Sequence, residues 1–419
     1  MTDPAQRYRE KLDRLEAVIK GKEPDRVPVT AMMSIFHAHY AGYTSKDVIF
    51  DYEKNKKAAL KVATDFDLDS MIILTGLEAT FMSLTFLQNA PGIAPVARFM
   101  QAQFHEVLGD VYTKWPGIEL GEDTQPQFIG KEIMKVDEYE QFTKDPVDFL
   151  NRTALPRVCK NLAEPGSPEA NAAFAQYGSE LAKFGAAQGD LIQSLGSVGI
   201  PTFPTAWSYA PLDVLGDFLR DIKNIVLDFY RYPDQVKKAV DAVTPLLIES
   251  AKVTGTVPPE VQKALGTNVV ECFFPLHLNE YLNPKLYNEF YWPSLKKVLE
   301  EVIAMGQTPY ILFEGRHDAH LETLLDLPKG KIIGVFDKTD PRKVRDVLGD
   351  HVILASGPPN SLLIGGTPHK VDDFMKDMLN DCKEGGMMIY PGVDGGISGD
   401  AKPENVKAVI EAVKKYGTY

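Results

Sequence analysis

Four short apolar runs near the end of the chain carry the architecture: TPYILFE (308–314), KIIGVF (331–336), HVILA (351–355) and MMIY (387–390). Each is rich in β-branched or bulky apolar residues, is bounded by turn formers and is followed by a helical pattern. The helices are predicted over His320–Leu325, Pro341–Leu348, Lys370–Lys383 and Pro403–Lys415. Repetition of this kind builds parallel strands joined by crossover helices. Working back toward the N-terminus, VVECFF (269–274) precedes a helix over Lys285–Met305, and Ile200–Ala206 precedes one over Pro211–Tyr230. Ser70–Leu74 and Val27–Ser34 complete the series at eight strands. Eight units predict closure as an α/β fold of the (β/α)8 TIM-barrel type, with function at the C-terminal ends of the strands. A doubly wound open sheet would show the same repetition. No GxGxxG follows any strand, which removes the commonest dinucleotide-binding reading.

About 125 residues separate the second and third strands. They hold aromatic and Gly/Pro-rich pieces (110–117, 124–134) and helices expected around Asp145–Leu162 and Ser167–Ala187. The chain thus reads as a single barrel domain over 1–419, with an insertion at 80–195 packed on or near the barrel mouth. The 419 residues are 44% hydrophobic and 25% charged, as in an ordinary globular protein. No stretch is apolar enough for a membrane span. The charged, helix-like start has no signal-peptide core. The net charge is −13 with no Lys/Arg cluster, which excludes a phosphate-tracking nucleic-acid surface. Cys159, Cys272 and Cys382 lie far apart without a CxxC pair, so a reducing cytoplasm is the expected compartment.

Three groups of segments carry a resemblance. They are GKEPDRVPV near the start, GKEIMKVDEYEQFTKDPVDFL in the middle, and a C-terminal run containing FEGRHDAHLETLLDLPKGKIIGVFDKTDP, LGDHVILASGPPNSLLIGGTP and GGMMIYPGVDGGISGD. Together they resemble the uroporphyrinogen decarboxylase superfamily over nearly the full chain. That superfamily includes the porphyrinogen decarboxylase and a group of cobalamin-dependent methyltransferases. The decarboxylase carries arginines at its first strand end, whereas AMMSIFHAHY (31–40) has none. Binding many carboxylates needs guanidinium forks or equivalent cations. The coenzyme M branch has a His-x-Cys pair on the fifth strand and a Cys after the eighth. The positions that match here are Leu312, Glu314 and Val393. The resemblance therefore implies the branch that passes a methyl group from a methoxylated, aromatic donor to a separate corrinoid protein. It further implies zinc as a Lewis acid, a cobalamin cofactor carried by that partner, and a homodimer. The alternative is a decarboxylase-type lyase acting on a carboxylated small molecule, for which Arg316 and Lys338 are the evident strand-end cations.

Cleaving an aryl methyl ether requires stabilisation of the leaving oxygen, by a metal or by a proton donor. Glu314 ends a strongly apolar strand and precedes a glycine, so it is expected to face the barrel mouth as ligand or catalyst. Its plainer role is a buried glutamate pairing with Arg316 or a backbone donor. His317 follows three residues later and would share that site if the chain turned there; a surface loop position is its other reading. Asp337 ends the next strand as a candidate acid or ligand, or caps the DKTDP loop. Asp394 sits in the PGVDGG turn beside the position of the missing family cysteine, as a candidate metal ligand or as a turn residue recruited for backbone reasons. Glu271 and Cys272 are read as ending the fourth strand, with one of them inward, and Cys272 as a metal ligand or a small core residue. His277 lies in the loop beyond. His37 and His39 follow the first strand, and His320 is expected to begin a helix. An apolar wall for an aromatic substrate is assigned to Met32, Phe36, Trp207, Tyr209 and Phe274, with His37 as a polar contact; each of the apolar residues alone reads as core.

Overall fold

Seven of the eight apolar runs hold a strand in the computed structural model, which describes residues 3–419, and the third, Ile200–Ala206, meets its strand only at its last two residues. We label them β1 (Thr30–Met33), β2 (Ser70–Ile73), β3 (Thr205–Trp207), β4 (Glu271–Leu276), β5 (Thr308–Phe313), β6 (Ile333–Phe336), β7 (Ile353–Ser356) and β8 (Met387–Ile389). Strands β3 to β8 pair in sequential order as one parallel sheet, and β1 pairs in parallel with β2. A parallel bridge between Val29 and Ile389, and the Ile389 N–H donating to Pro28 at 2.8 Å, join β8 back to β1. The result is the expected (β/α)8 TIM barrel. No backbone ladder joins β2 to β3 among the described residues. Side chains satisfy part of that seam instead: the Arg98 guanidinium donates to the Thr205 carbonyl at 3.0 Å, and the Ser70 hydroxyl to the Pro201 carbonyl at 3.3 Å.

Side-chain phase follows from register, because paired residues of parallel strands share a face. Met32, Tyr310, Leu312, Ile333, Val335, Ile353, Ala355, Met388 and Tyr390 pack as one cluster inside the barrel. Residues out of phase with them, among them Met33, Cys272, Phe274, Ile311 and Phe313, join the larger core between strands and helices. The N-terminal helix Pro4–Ile19 reaches the interior cluster with Val18 at the bottom of the barrel. Arg14 and Arg26 both pair with the fully buried Asp69, at 2.5 and 2.8 Å, just before β2.

Several boundaries differ from those read in the sequence. The helix expected over Pro211–Tyr230 is broken: a π turn at Gly216–Arg220 ends at Asp221, which has φ 62°, and a new helix starts at Ile222. Asp221 makes that break by accepting the Asn224 N–H with its own side chain. The helix begun at Pro168 runs on to Ser197, and His320 precedes a 3-10 turn. Strand β4 starts at Glu271 and continues to Leu276, so Glu271 and Cys272 open that strand where the sequence had them ending it. Between β2 and β3 the chain also forms a short antiparallel pair, Leu77–Glu78 with Phe99–Met100. No helix among the described residues is long and apolar enough to cross a membrane.

Candidate active site

A cavity of about 470 Å3 opens at the C-terminal ends of the strands. Its walls come from the segments that follow β2 (Leu77, Glu78), β3 (Tyr209, Asp217, Phe218), β4 (His277, Glu280), β5 (Glu314, Gly315) and β6 (Asp337, Lys338). This is the end of the barrel at which loops from several strands converge.

His277 organises the polar part. Its Nδ1 lies 2.5 Å from Asp217 Oδ2 and its Nε2 lies 3.2 Å from Glu314 Oε1. Burial opposes charge on the ring, but the two carboxylates outweigh it and hold the imidazole well above its ordinary pKa. Tyr209 donates its hydroxyl to the same Asp217 oxygen at 2.7 Å. Asp213, one helical turn before Asp217, accepts the backbone N–H groups of His277 (3.0 Å) and Leu278 (3.1 Å) and the Tyr291 hydroxyl (2.7 Å). Burial and the neighbouring Asp217 push Asp213 up to about 7.

Across the cavity, burial pushes Glu78 up to about 7 against the pull of the Thr80 hydroxyl, Arg98 and His277, and its Oε2 has no hydrogen-bond partner. Asp337 accepts the Gly315 N–H at 3.0 Å, its other oxygen is unpartnered, and burial raises it. Gly315 adopts φ 68°, and a Cβ there would run into the Glu280 carboxylate. The turn after Glu314 therefore requires glycine. Phe128, Ile222 and Tyr281 form an exposed apolar rim.

The structure brings Glu314, Asp337 and Tyr209 together at this cavity with His277 and Lys338, and separates from it the expected residues that follow. Glu314 pairs with His277, not with Arg316. His317 turns inward behind the strand end and is fully buried against Phe313 and His320; its Nε2 has no partner, and burial holds it well below its ordinary pKa. His320 stacks on Tyr287 with ring centroids 3.9 Å apart and bonds the Leu282 carbonyl. Cys272 and Phe274 face the helix layer, because the phase of β4 puts Glu271 and Phe273 inside the barrel. Asp394 accepts from the backbone and side chain of Asn360 as a turn cap. Phe36 packs on Tyr40 and Phe66 in the outer core. His37 is buried against Asn55 at 2.9 Å, and burial holds it down to about 4. His39 pairs with Asp123 at 3.1 Å. Met32 and Trp207 lie inside the barrel.

A model of the uroporphyrinogen decarboxylase family matches residues 205–416, just over half of the chain. The chain belongs to the uroporphyrinogen decarboxylase family. The match spans β3 to β8 and so contains Asp217, His277, Glu314 and Asp337, while Glu78 and Phe128 lie before it. No curated protein matches the chain.

The zinc expected from the resemblance does not fit the residues chosen for it. Glu314 lines the cavity, His317 and Cys272 are buried behind the strands, and Asp394 caps a turn. Among the described residues no three His, Cys, Asp or Glu side chains are arranged to hold a metal ion. The residues that sequence reading underweighted are His277, Asp217 and Glu78. A signal for the first two existed in the sequence: a histidine just past an apolar strand end, and Asp213 and Asp217 four apart on the helix after β3.

Proposed function

We propose that the chain is a methyltransferase that moves a methyl group from a methoxylated aromatic donor to a corrinoid carried by a separate protein. The observation that carries this reading is His277, held as a cation between Asp217 and Glu314 at the edge of the cavity. Methyl transfer breaks the methyl C–O bond and leaves its electron pair on the aryl oxygen. The corrinoid, when docked, supplies the nucleophile that takes the methyl group. The aryl oxide then needs a proton, and His277 Nε2–H is the donor that the site offers. Asp217 accepts the Nδ1–H, which fixes the ring's orientation and leaves the Nε2–H as the proton the ring can give up. Glu314 holds that Nε2–H until the substrate oxygen takes its place. A phenolic oxygen has a pKa of roughly 10, so an acid well above its ordinary value is matched to it and stays loaded at neutral pH.

The charge around the cavity supports the same choice. Glu78, Asp217, Glu280, Glu314 and Asp337 face it, against Lys338 and His277, and Lys338 itself lies 3.9 Å from Glu280. A polycarboxylated substrate would meet net repulsion there, which disfavours the lyase. The apolar rim of Phe128, Ile222 and Tyr281 suits transient docking of the corrinoid partner. The 80–195 segment, which supplies Phe128, would shape the donor pocket. Three buried free cysteines accord with a reducing, cytoplasmic setting.

The test is methyl transfer from a panel of methoxybenzenes to cob(I)alamin, read by loss of the reduced-cobalt absorption and by phenol release. The wild type is expected to give both. Neither product with any donor, from folded protein, would overturn the reading.

A further inference from the structure

Barrel interiors of this kind are ordinarily filled by layers of side chains. Here one side is open. Ile72, in register with the interior Met32, is 42% exposed. Thr205, Glu271 and Phe273, which share the interior face across β3 and β4, are only half-buried. The opening lies along the β2–β3 seam that lacks a backbone ladder, and Arg98 occupies it.

Arg98 stands over the Trp207 ring, with its guanidinium carbon 4.6 Å from the centroid, and Phe99 meets the same ring edge-on at 4.8 Å. Trp207, Phe273 and Tyr310 continue as a row of rings at 4.9 and 6.0 Å. Among the described residues Arg98 makes no ion pair within 4.0 Å, and its one hydrogen bond goes to the Thr205 carbonyl. Three buried donors in this row have no acceptor: Arg98 Nε, Trp207 Nε1 and Tyr310 Oη. Glu78 is the carboxylate whose charge Arg98 feels, but the two form no salt bridge, and three unpartnered buried donors are costly unless a ligand group reaches them. Glu271 is the acidic group of the same face; its carboxyl makes no hydrogen bond, and burial pushes it up to about 7, which lessens its repulsion of an anion.

We propose that this half-open interior is a second binding subsite, taking the carboxylate of a benzoate-like ring on Arg98 and Trp207, with the ring against Trp207 and Phe273. The subsite adjoins the mouth cavity through Glu78, whose backbone neighbour Ala79 bonds Arg98 and whose register partner is Phe99. A donor held there by its acid end would present its ether toward His277, and this assignment of the ligand as donor rests on the functional reading above. The specificity device is then the pairing of one interior cation with an anionic tail, set below a mouth whose carboxylates repel further negative charge.

The experiment is calorimetric titration of the corrinoid-free protein with benzoate, toluene and benzylammonium. Benzoate is expected to bind, with the other two much weaker. Arg98→Met should weaken benzoate at least about tenfold, the range for losing a charge-assisted hydrogen bond. Trp207→Phe keeps the ring, removes the Nε1 donor, and should weaken it severalfold; this variant decides the matter if Arg98→Met does not fold. No benzoate binding at millimolar concentration, or equal binding by wild type and the folded variants, overturns the subsite. Methyl transfer from methoxybenzenes without benzoate binding would sink the subsite alone. Benzoate binding without any methyl transfer would sink the functional reading alone.

Discussion

His277 at the barrel mouth and His105 in the segment between β2 and β3 each lie between two carboxylates. The Nδ1 contacts, to Asp217 and Asp110, are both 2.5 Å; the Nε2 contacts are 3.2 Å to Glu314 and 2.9 Å to Glu119. Burial opposes charge on both rings, and in both the flanking carboxylates prevail and raise the pKa. The surroundings differ. Asp110 also caps the Tyr112 and Thr113 N–H groups, Thr113 ties to the Trp115 indole, and Glu119 accepts the Trp115 N–H, so every partner of His105 is spent on local backbone and side chains. Around His277 the cavity-facing partner, Glu314, is about half exposed and can yield its place. A clamped imidazolium is thus a staple where the clamp is closed, and a proton donor where one jaw opens onto a cavity.

The comparison breaks most visibly in activity. His277→Gln should lower methyl transfer by about 10²–10⁴-fold, the usual worth of a positioned acid, with Kd for the donor little changed. His105→Gln should leave the rate within about twofold, since it lies outside the cavity. Equal losses in the two variants would make the distinction wrong.

Stability should show the reverse order. His105→Leu strands two carboxylates, one of them fully buried, and is expected to cost about 3 kcal/mol in urea unfolding. The pH dependence sharpens this. The folded pKa of His105 lies above the unfolded value of roughly 6.5, so its stabilisation is fully present below that pH and fades as pH rises through the folded value. Glu119, lowered in the fold, adds stability that is lost only as pH falls through its own depressed value. The gap between wild type and His105→Leu should therefore be widest between about pH 5 and 6.5 and narrow in alkali. A gap that stays constant to pH 10 would refute the staple.

Glu314→Gln comes next in size. It removes one of the two charges that hold the proton on His277, so the alkaline fall of the rate should move to lower pH, with a loss of about tenfold at pH 8. An unshifted profile would mean that Asp217 alone sets the acid. The smallest effect belongs to His317→Leu. That ring is buried, uncharged and unpartnered at Nε2, and its Nδ1 meets only the Asn279 amide at 3.4 Å, which keeps the Glu314 carbonyl as a partner, so an apolar replacement of similar size strands little. The variant should change stability by less than about 1 kcal/mol, and elemental analysis should find its metal content equal to the wild type's.

Apolar runs and their turn boundaries were enough to place seven of the eight barrel strands, because a strand buried on both faces needs a continuous apolar stretch that few other structures share, whereas the third strand, Thr205–Trp207, begins near the end of its run. The ends of β5 and β6 were legible too, though that of β4 was not, which is why Glu314 and Asp337 were found: a charged residue straight after such a run sits where the sheet meets the loops. Direction was not legible. Bulky apolar residues fill both faces of β4, so its pattern gave no clue that Glu271 and Phe273 face inward and Cys272 and Phe274 outward. Nor could spacing show that the turn at Gly315 sends His317 into the core, or that helices after β3 deliver Asp217 to a histidine sixty residues away. Hydrophobic periodicity is a local property, so the barrel and the end of it that carries the loops could be read from the chain alone. Only the tertiary structure decided which side chains meet, because pairing of charges depends on strand phase, loop turns and the seam that Arg98 fills, and those are settled by packing of residues far apart in the chain.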